Sequence, residues 1–284
     1  MKRIIFLASL IILGIIFSAC TDKKVLKCIP QTADAVVVVS PDQKLSETCD
    51  PDALEDILDE FGFDSDERSL VHKLVDNPKS MGIDLSKTMA GWMEFDKQDL
   101  DEMVGGFVVA VSDVDALESS LHELNGKFLN FSNIQKQNGI SYIYPNKDKE
   151  GTIIGWNNKY LIMMVSTSRS RIQPTDVISA LYRDKGFSIL TNQNFKEFSD
   201  NLTDVNLWLK SDVFAKELKK EKDVNNMLKD ANIDLAGNYL HVYLTLDKKE
   251  YRMEVVVSKN PSLQRADWTK IIQAYFRNID DYNY

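Results

Sequence analysis

The sequence predicts an α+β fold: antiparallel sheets packed by helices on one face, with two related β-α-β-β-α units flanking a β-meander. Three observations predict it. Short runs of β-branched and aromatic residues are separated by tight turns, of which Asn138-Gly139 is the strongest hairpin signal. Helical stretches carry apolar residues at three- and four-residue spacing, as in Val114, Leu117, Leu121 and Leu124. One order of elements also recurs: Gly82-Ile83-Asp84-Leu85 with two strands comes back as Asn232-Ile233-Asp234-Leu235 with two more. A match this short is also what chance produces, and both readings stand at this level.

The chain opens with Lys2 and Arg3, an unbroken apolar run from Ile4 to Phe17, two small residues and a cysteine. The run has the length of a secretory h-region and falls short of the ~20 residues that span a bilayer. Ser18 and Ala19 suit the narrow subsites of a signal peptidase, and the cysteine after them stands where lipoproteins are acylated. Phe17 occupies a place where leucine is commoner. Residues 1–20 therefore read as a lipoprotein signal peptide and Cys20 as the acylated residue. An uncleaved membrane helix from Ile4 to Cys20 is the alternative. Acyl chains contribute ~0.8 kcal/mol per buried methylene, so several of them make a lasting anchor.

Residues 21–30 form a tether. An N-terminal unit (31–190) then begins with the strand Ala33–Val39, whose four consecutive valines suit a buried pleated surface. Ser40-Pro41 offers an N-cap with proline behind it. Asp50–Phe61 and Asp64–Val75 have helical patterning, and Pro78 closes the second. Gly91–Phe95 and Met103–Ser112 read as paired strands, and Asp113–Leu124 as a helix. The meander follows, turning at Asn138-Gly139 and again at Asn157-Asn158. Pro174–Arg183 is a short helix. A C-terminal unit (191–284) comprises helix Phe195–Asn201, strand Val205–Leu209, a charged helix Ser211–Asp230, strands Tyr239–Leu246 and Tyr251–Val257, and a last helix Leu263–Asn278. In Tyr239–Leu246, Leu240, Val242, Leu244 and Leu246 define the apolar side, with His241 facing away.

Charge excludes some partners. The whole chain carries −9, and losing Lys2 and Arg3 with the signal peptide makes the mature chain −11. Such a surface repels phosphate backbones, so nucleic acid is not an expected partner. Adhesion to anionic lipid by a basic patch is equally disfavoured. With Cys20 acylated, Cys28 and Cys49 remain as a candidate disulfide. Bridging them would close a loop of ~20 residues, contributing ~3 kcal/mol. Two separate thiols are an equal alternative, since Cα spacing decides it.

Four segments resemble a known family: Lys27-x-Ile29-Pro30-x-x-Ala33-x-Ala35-Val36-Val37, Ser80-x-Gly82-Ile83-Asp84, the Gly106–Asp113 strand ending in Ser112-Asp113, and Ile154-Gly155-Trp156-Asn157. They resemble uncharacterised Bacteroidota envelope lipoproteins that carry a domain of unknown function. The resemblance covers most of the mature chain and rests on structural motifs. It implies an envelope lipoprotein and supplies no catalytic residues.

Chemistry-bearing motifs are sparse. His72, His122 and His241 lie far apart without cysteine or carboxylate at ligand spacing, so no metal site or cofactor is expected. The acidic residues between Asp50 and Glu67 read as a solvated helix face. Asn146-x-Asp148-x-Glu150-Gly151 has the opening spacing of a calcium loop, but Asn157 stands where a bidentate Glu is needed, and a hairpin turn fits better. Serine lacks a nucleophile-elbow context, and Gly105-Gly106 opens a strand where a phosphate cradle needs a helix. Trp92, Tyr239 and Tyr243 form a candidate glycan platform, against the commoner fate of sheet aromatics beneath helices.

The expectation is a lipid-anchored, non-enzymatic envelope protein that binds or scaffolds. Its partners would be the membrane, through N-terminal acyl chains, and an envelope protein or glycan. Its expected place is the outer membrane, facing the periplasm, because Thr21-Asp22-Lys23-Lys24 lacks the acidic run expected of surface export. The alternatives are a surface glycan-binding lipoprotein of a polysaccharide-uptake system and, third, a cryptic hydrolase.

Overall fold

In the computed structural model of the chain, the residues described are 23–40, 59, 65–96, 102–125, 131–145, 151–167, 172–182, 187–213, 215, 225–226, 229, 237–246 and 251–257. The fold is α+β. Among the described residues, eleven strands form one open antiparallel sheet. They are β1 (Ala35–Val39), β2 (Ile83–Asp84), β3 (Met89–Phe95), β4 (Met103–Val111), β5 (Gln135–Gln137), β6 (Ile140–Ile143), β7 (Gly151–Trp156), β8 (Tyr160–Ser166), β9 (Val205–Lys210), β10 (Tyr239–Leu246) and β11 (Tyr251–Val257). The helices described are α1 (Ser65–Asp76), α2 (Val114–Leu124), α3 (Pro174–Leu181) and α4 (Gln193–Asp200), with short 3-10 turns at Lys23–Cys28, Pro78–Met81 and Ile189–Thr191.

The strand order is β11-β10-β9-β1-β3-β4-β8-β7-β6-β5, with β2 paired to β4. The expected strand pairs Gly91–Phe95 with Met103–Ser112, and Tyr239–Leu246 with Tyr251–Val257, are both present. The valine strand β1 lies at the centre, between β3 and β9. Through that pairing the sheet runs unbroken across residues 190 and 191.

Helices cover both faces of this sheet, which corrects the expectation of one covered face. Successive strand residues point to opposite sides, so each face needs its own apolar cover. On one face Val36, Trp92, Val108, Ile153, Ile162 and Trp208 pack with Val25 and Leu26 of the first 3-10 turn, Val177 and Ala180 of α3, and Phe195 and Phe198 of α4. On the other, Leu117 and Leu121 of α2 pack on Ile143, Ile154 and Trp156. Gly106 makes the first face possible. It sits opposite Trp92 across β3 and β4, and a Cβ there would lie 2.1 Å from the indole.

The same principle inverts the reading of β10. The alternation is as expected, but its deeper side is the one bearing His241 and Tyr243, 5% and 7% exposed. Leu240, Val242, Leu244 and Leu246 are only half-buried. The helix α4 lies over the aromatic side, with Phe198 stacked on Tyr243 at 5.5 Å, and that cover rather than side-chain hydrophobicity sets the burial.

Turns divide in a similar way. At Asn138-Gly139 both residues have positive φ, 52° and 75°, as a two-residue hairpin of the right twist needs. At Asn157-Asn158 neither does, so this turn is of a different kind from the one expected. There the Asn157 carboxamide oxygen accepts from the backbone N–H of Lys159 (2.8 Å) and Tyr160 (2.9 Å) and closes the turn through its side chain.

Several expected features lie outside the described residues: Cys20, Cys49, the helix Asp50–Phe61 except Asp59, residues 146–150, most of Ser211–Asp230, the second repeat segment 232–235 and the helix Leu263–Asn278.

Candidate functional site

Beyond its pairing with β7, β6 carries two tyrosines at alternate positions, Tyr142 within the strand and Tyr144 just after it. Period-two geometry puts both on one side of the sheet. Opposite Tyr142 stand Gln135 on β5 and Gly155 on β7, where the missing side chain lets Val177 of α3 pack close: a Cβ there would lie 2.2 Å from its methyl group. Tyr144 is held by a backbone exchange with Ser132: the Ser132 N–H donates to the Tyr144 carbonyl at 2.8 Å, and the Tyr144 N–H donates to the Ser132 hydroxyl at 3.3 Å. The two rings lie 6.5 Å apart with planes within 25° of each other. Tyr144 is 38% exposed.

These rings face a cleft of about 340 Å³. Ile153 and Ile172 give it an apolar floor, and Gln173 and Pro174 at the start of α3 give it a second wall. That wall is fixed by Asp176, whose carboxylate accepts from the Gln173 N–H at 2.7 Å. The carboxamide of Gln135 donates from Nε2 to the Asn133 carbonyl at 3.3 Å, which leaves its oxygen available to accept. The described lining thus offers flat rings, amides and aliphatic surface. It is suited to holding a neutral molecule by stacking and hydrogen bonding.

A second polar cluster is buried beneath α4. The Asn194 carboxamide oxygen meets both Trp208 Nε1 (2.9 Å) and His241 Nε2 (2.7 Å). An amide oxygen only accepts, so the His241 proton sits on Nε2. The bare Nδ1 then faces the Tyr243 hydroxyl at 3.4 Å, which is also 3.4 Å from the Phe198 carbonyl. Burial pushes the His241 imidazole below its ordinary pKa, and the Glu197 carboxylate pulls it partly back. Burial, and then the Glu254 charge, push the Tyr243 hydroxyl up to about 12. Lying between sheet and helix, this cluster orders the core and does not open onto the cleft.

The structure separates the residues singled out from sequence. Trp92 is 2% exposed and Tyr243 7%, while Tyr239 is half-buried with its ring stacked 5.4 Å from Trp208. They line the core under α4 and the first 3-10 turn, so the expected glycan platform is not an exposed surface. Cys28 is buried in the first 3-10 turn. His72 and His122 lie on α1 and α2, apart from His241, and among the described residues no three His, Cys, Asp or Glu side chains converge. The reading from sequence missed Tyr142 and Tyr144. Their signal was the two-residue spacing directly after the hairpin, two rings on one side of a strand near the sheet edge.

A family model described as a domain of unknown function (DUF4836) matches residues 27–264. No curated protein matches the chain. Two solved crystal forms of TP0453 are similar to it at 13% identity and a TM-score of 0.45. The match covers 88% of this chain and 80% of that one for form III, and 86% and 81% for form I.

Proposed function

The chain belongs to the DUF4836 family, and on that premise we propose that it is a lipid-anchored, non-enzymatic envelope protein that binds a partner through the cleft beside Tyr142 and Tyr144. The observation that carries the reading is that cleft, whose described walls offer stacking and hydrogen bonds to a neutral molecule. The sequence supports the anchor, with Cys20 following Ser18-Ala19. Val25, Leu26, Cys28 and Ile29 are buried in and beside the 3-10 turn Lys23–Cys28, so this stretch packs on the body and is not the free tether expected for residues 21–30.

Lys23 pairs with Asp200 at 3.0 Å, at the end of α4, which packs over β9 and β10. The strand β7 of the cleft is five strand steps from β9, on the order of 20 Å at the usual inter-strand spacing. Labelling of growing cells with palmitate checks the anchor: label on the wild type and none on Cys20→Ala is the expected outcome. Equal labelling of both would end the anchored reading. Crosslinked capture from the envelope, compared between wild type and Tyr144→Ala, then checks whether the cleft is where the partner binds.

The glycan-binding alternative also gains support from this one observation, the ring pair, although it uses other residues than Trp92, Tyr239 and Tyr243. Periplasmic placement at the outer membrane remains part of the proposal, and protease treatment of intact cells tests it by leaving the protein uncut.

A further inference from the structure

We propose that the Tyr142–Tyr144 cleft is a subsite for a neutral glycan chain, with a sugar unit lying on the exposed ring of Tyr144. This rests on the binding role proposed above and names the ligand class of that site. Four observations favour a sugar.

The first is geometric. The ring centroids are 6.5 Å apart and the planes differ by 25°. The pair is stacked, so the surface left for a sugar's apolar C–H side is the outer face of Tyr144, which is 38% exposed. The second is the polar complement. Both tyrosine hydroxyls and the accepting oxygen of Gln135 sit around the rings, and Gln173 lies across the cleft. Sugars need such donors and acceptors at the rim of a stacking surface. The third is charge. The whole chain carries −9, which disfavours an anionic ligand. The fourth is rigidity. Tyr142 is set in the sheet between β5 and β7, and Tyr144 is pinned to Ser132, so little ordering is needed on binding.

A short apolar or proline-rich peptide is the competing occupant, since proline also stacks on tyrosine. It would gain from pairing with the edge strand β5, whereas the rings and amides lie on the sheet face beside it.

The test is titration of the full-length acylated protein in liposomes with linear hexaoses of glucose, mannose and N-acetylglucosamine, and with a proline-rich peptide. At least one hexaose is expected to bind saturably, with an affinity that changes little between low and high salt. Tyr144→Ala is expected to weaken it about three- to tenfold, as loss of one aromatic contact does. Tyr144→Trp is expected to retain it, and Phe187→Ala, an exposed ring outside the cleft, to leave it unchanged. Because Tyr144 is partly exposed, both substitutions leave the core intact, and an unchanged melting temperature verifies this. Three results overturn the proposal: no hexaose binds, hexaose binding is unaltered by Tyr144→Ala, or only the peptide binds in a Tyr144-dependent way. If the hexaoses fail while envelope capture still depends on Tyr144, the sugar assignment falls and the binding role stands.

Discussion

At the scale of single residues, His241 shows how burial turns an ordinary side chain into a pH-dependent one. It faces Asn194 and Glu197 on α4, Trp208 on β9 and Tyr243 on its own strand. In the unfolded chain its imidazole takes up a proton near 6.5; in the folded protein it does so only at lower pH. The unfolded state therefore binds more protons between those two values, and stability there rises with pH. The contribution is complete above 6.5 and is lost as the pH falls below it toward the folded pKa. Melting temperatures of wild type and His241→Gln across this range check the point: the gap between them is expected to narrow, or reverse, on acidification. A gap independent of pH would show that the imidazole does not titrate with unfolding. Tyr243 works in the opposite sense. Its pKa is raised to about 12, so its share of stability holds below 10 and is lost as the pH climbs through the folded value.

At the scale of elements, α2 illustrates how a short helix is fixed from both ends of the sequence logic. Asp113 caps it, its carboxylate accepting from the N–H groups of Asp115 (2.9 Å) and Ala116 (3.1 Å). Leu117 and Leu121 face the sheet. From the same helix Glu118 reaches down to the Trp156 indole N–H (3.3 Å) and the Ser141 hydroxyl (3.2 Å), with Lys136 3.3 Å from its carboxylate. Polar pairing thus supplements apolar packing over β6 and β7, the strands that carry the cleft. Asp113→Ala removes the cap and is expected to lower stability by about 1 kcal/mol. Chemical denaturation measures it, and an unchanged midpoint would mean that the packed face alone sets the position of the helix.

At the scale of the whole molecule, strand order carries an approximate two-fold about the Val37·Leu207 pair. Outward from it run β1-β3-β4 on one side and β9-β10-β11 on the other. The rotation brings Trp92, opposite Val36, onto the place of Tyr243, opposite Asn206. The strands of the two expected β-α-β-β-α units are thus arranged alike, while the helices of the second unit lie mostly outside the described residues. The two halves also share a core: Val36, Val38 and Trp92 pack with Phe195, Phe198 and Trp208. A chain ending at residue 190 would lose those rings and bare the edge of β1, whose valines then template aggregation. Such a chain is expected to be insoluble or to lack dispersed backbone resonances. A soluble, well-dispersed product would show that residues 31–190 fold alone.

Local chemistry was enough to determine much of this protein. The four valines, the Asn138-Gly139 hairpin and the period of Val114 to Leu124 fix strand, turn and helix because each acts within a few residues. The class of fold follows from their order, and the acylation expectation at Cys20 from a run of adjacent side chains. What only the tertiary structure decided is which side of each strand is covered. His241 and Tyr243 lie inside, and the leucines of β10 half outside, because α4 returns over one face from far along the chain. The ring pair at Tyr142 and Tyr144 became a cleft for a similar reason. The start of α3, some thirty residues later, supplies the opposite wall, and contacts across that separation leave no period or motif in the sequence around either side.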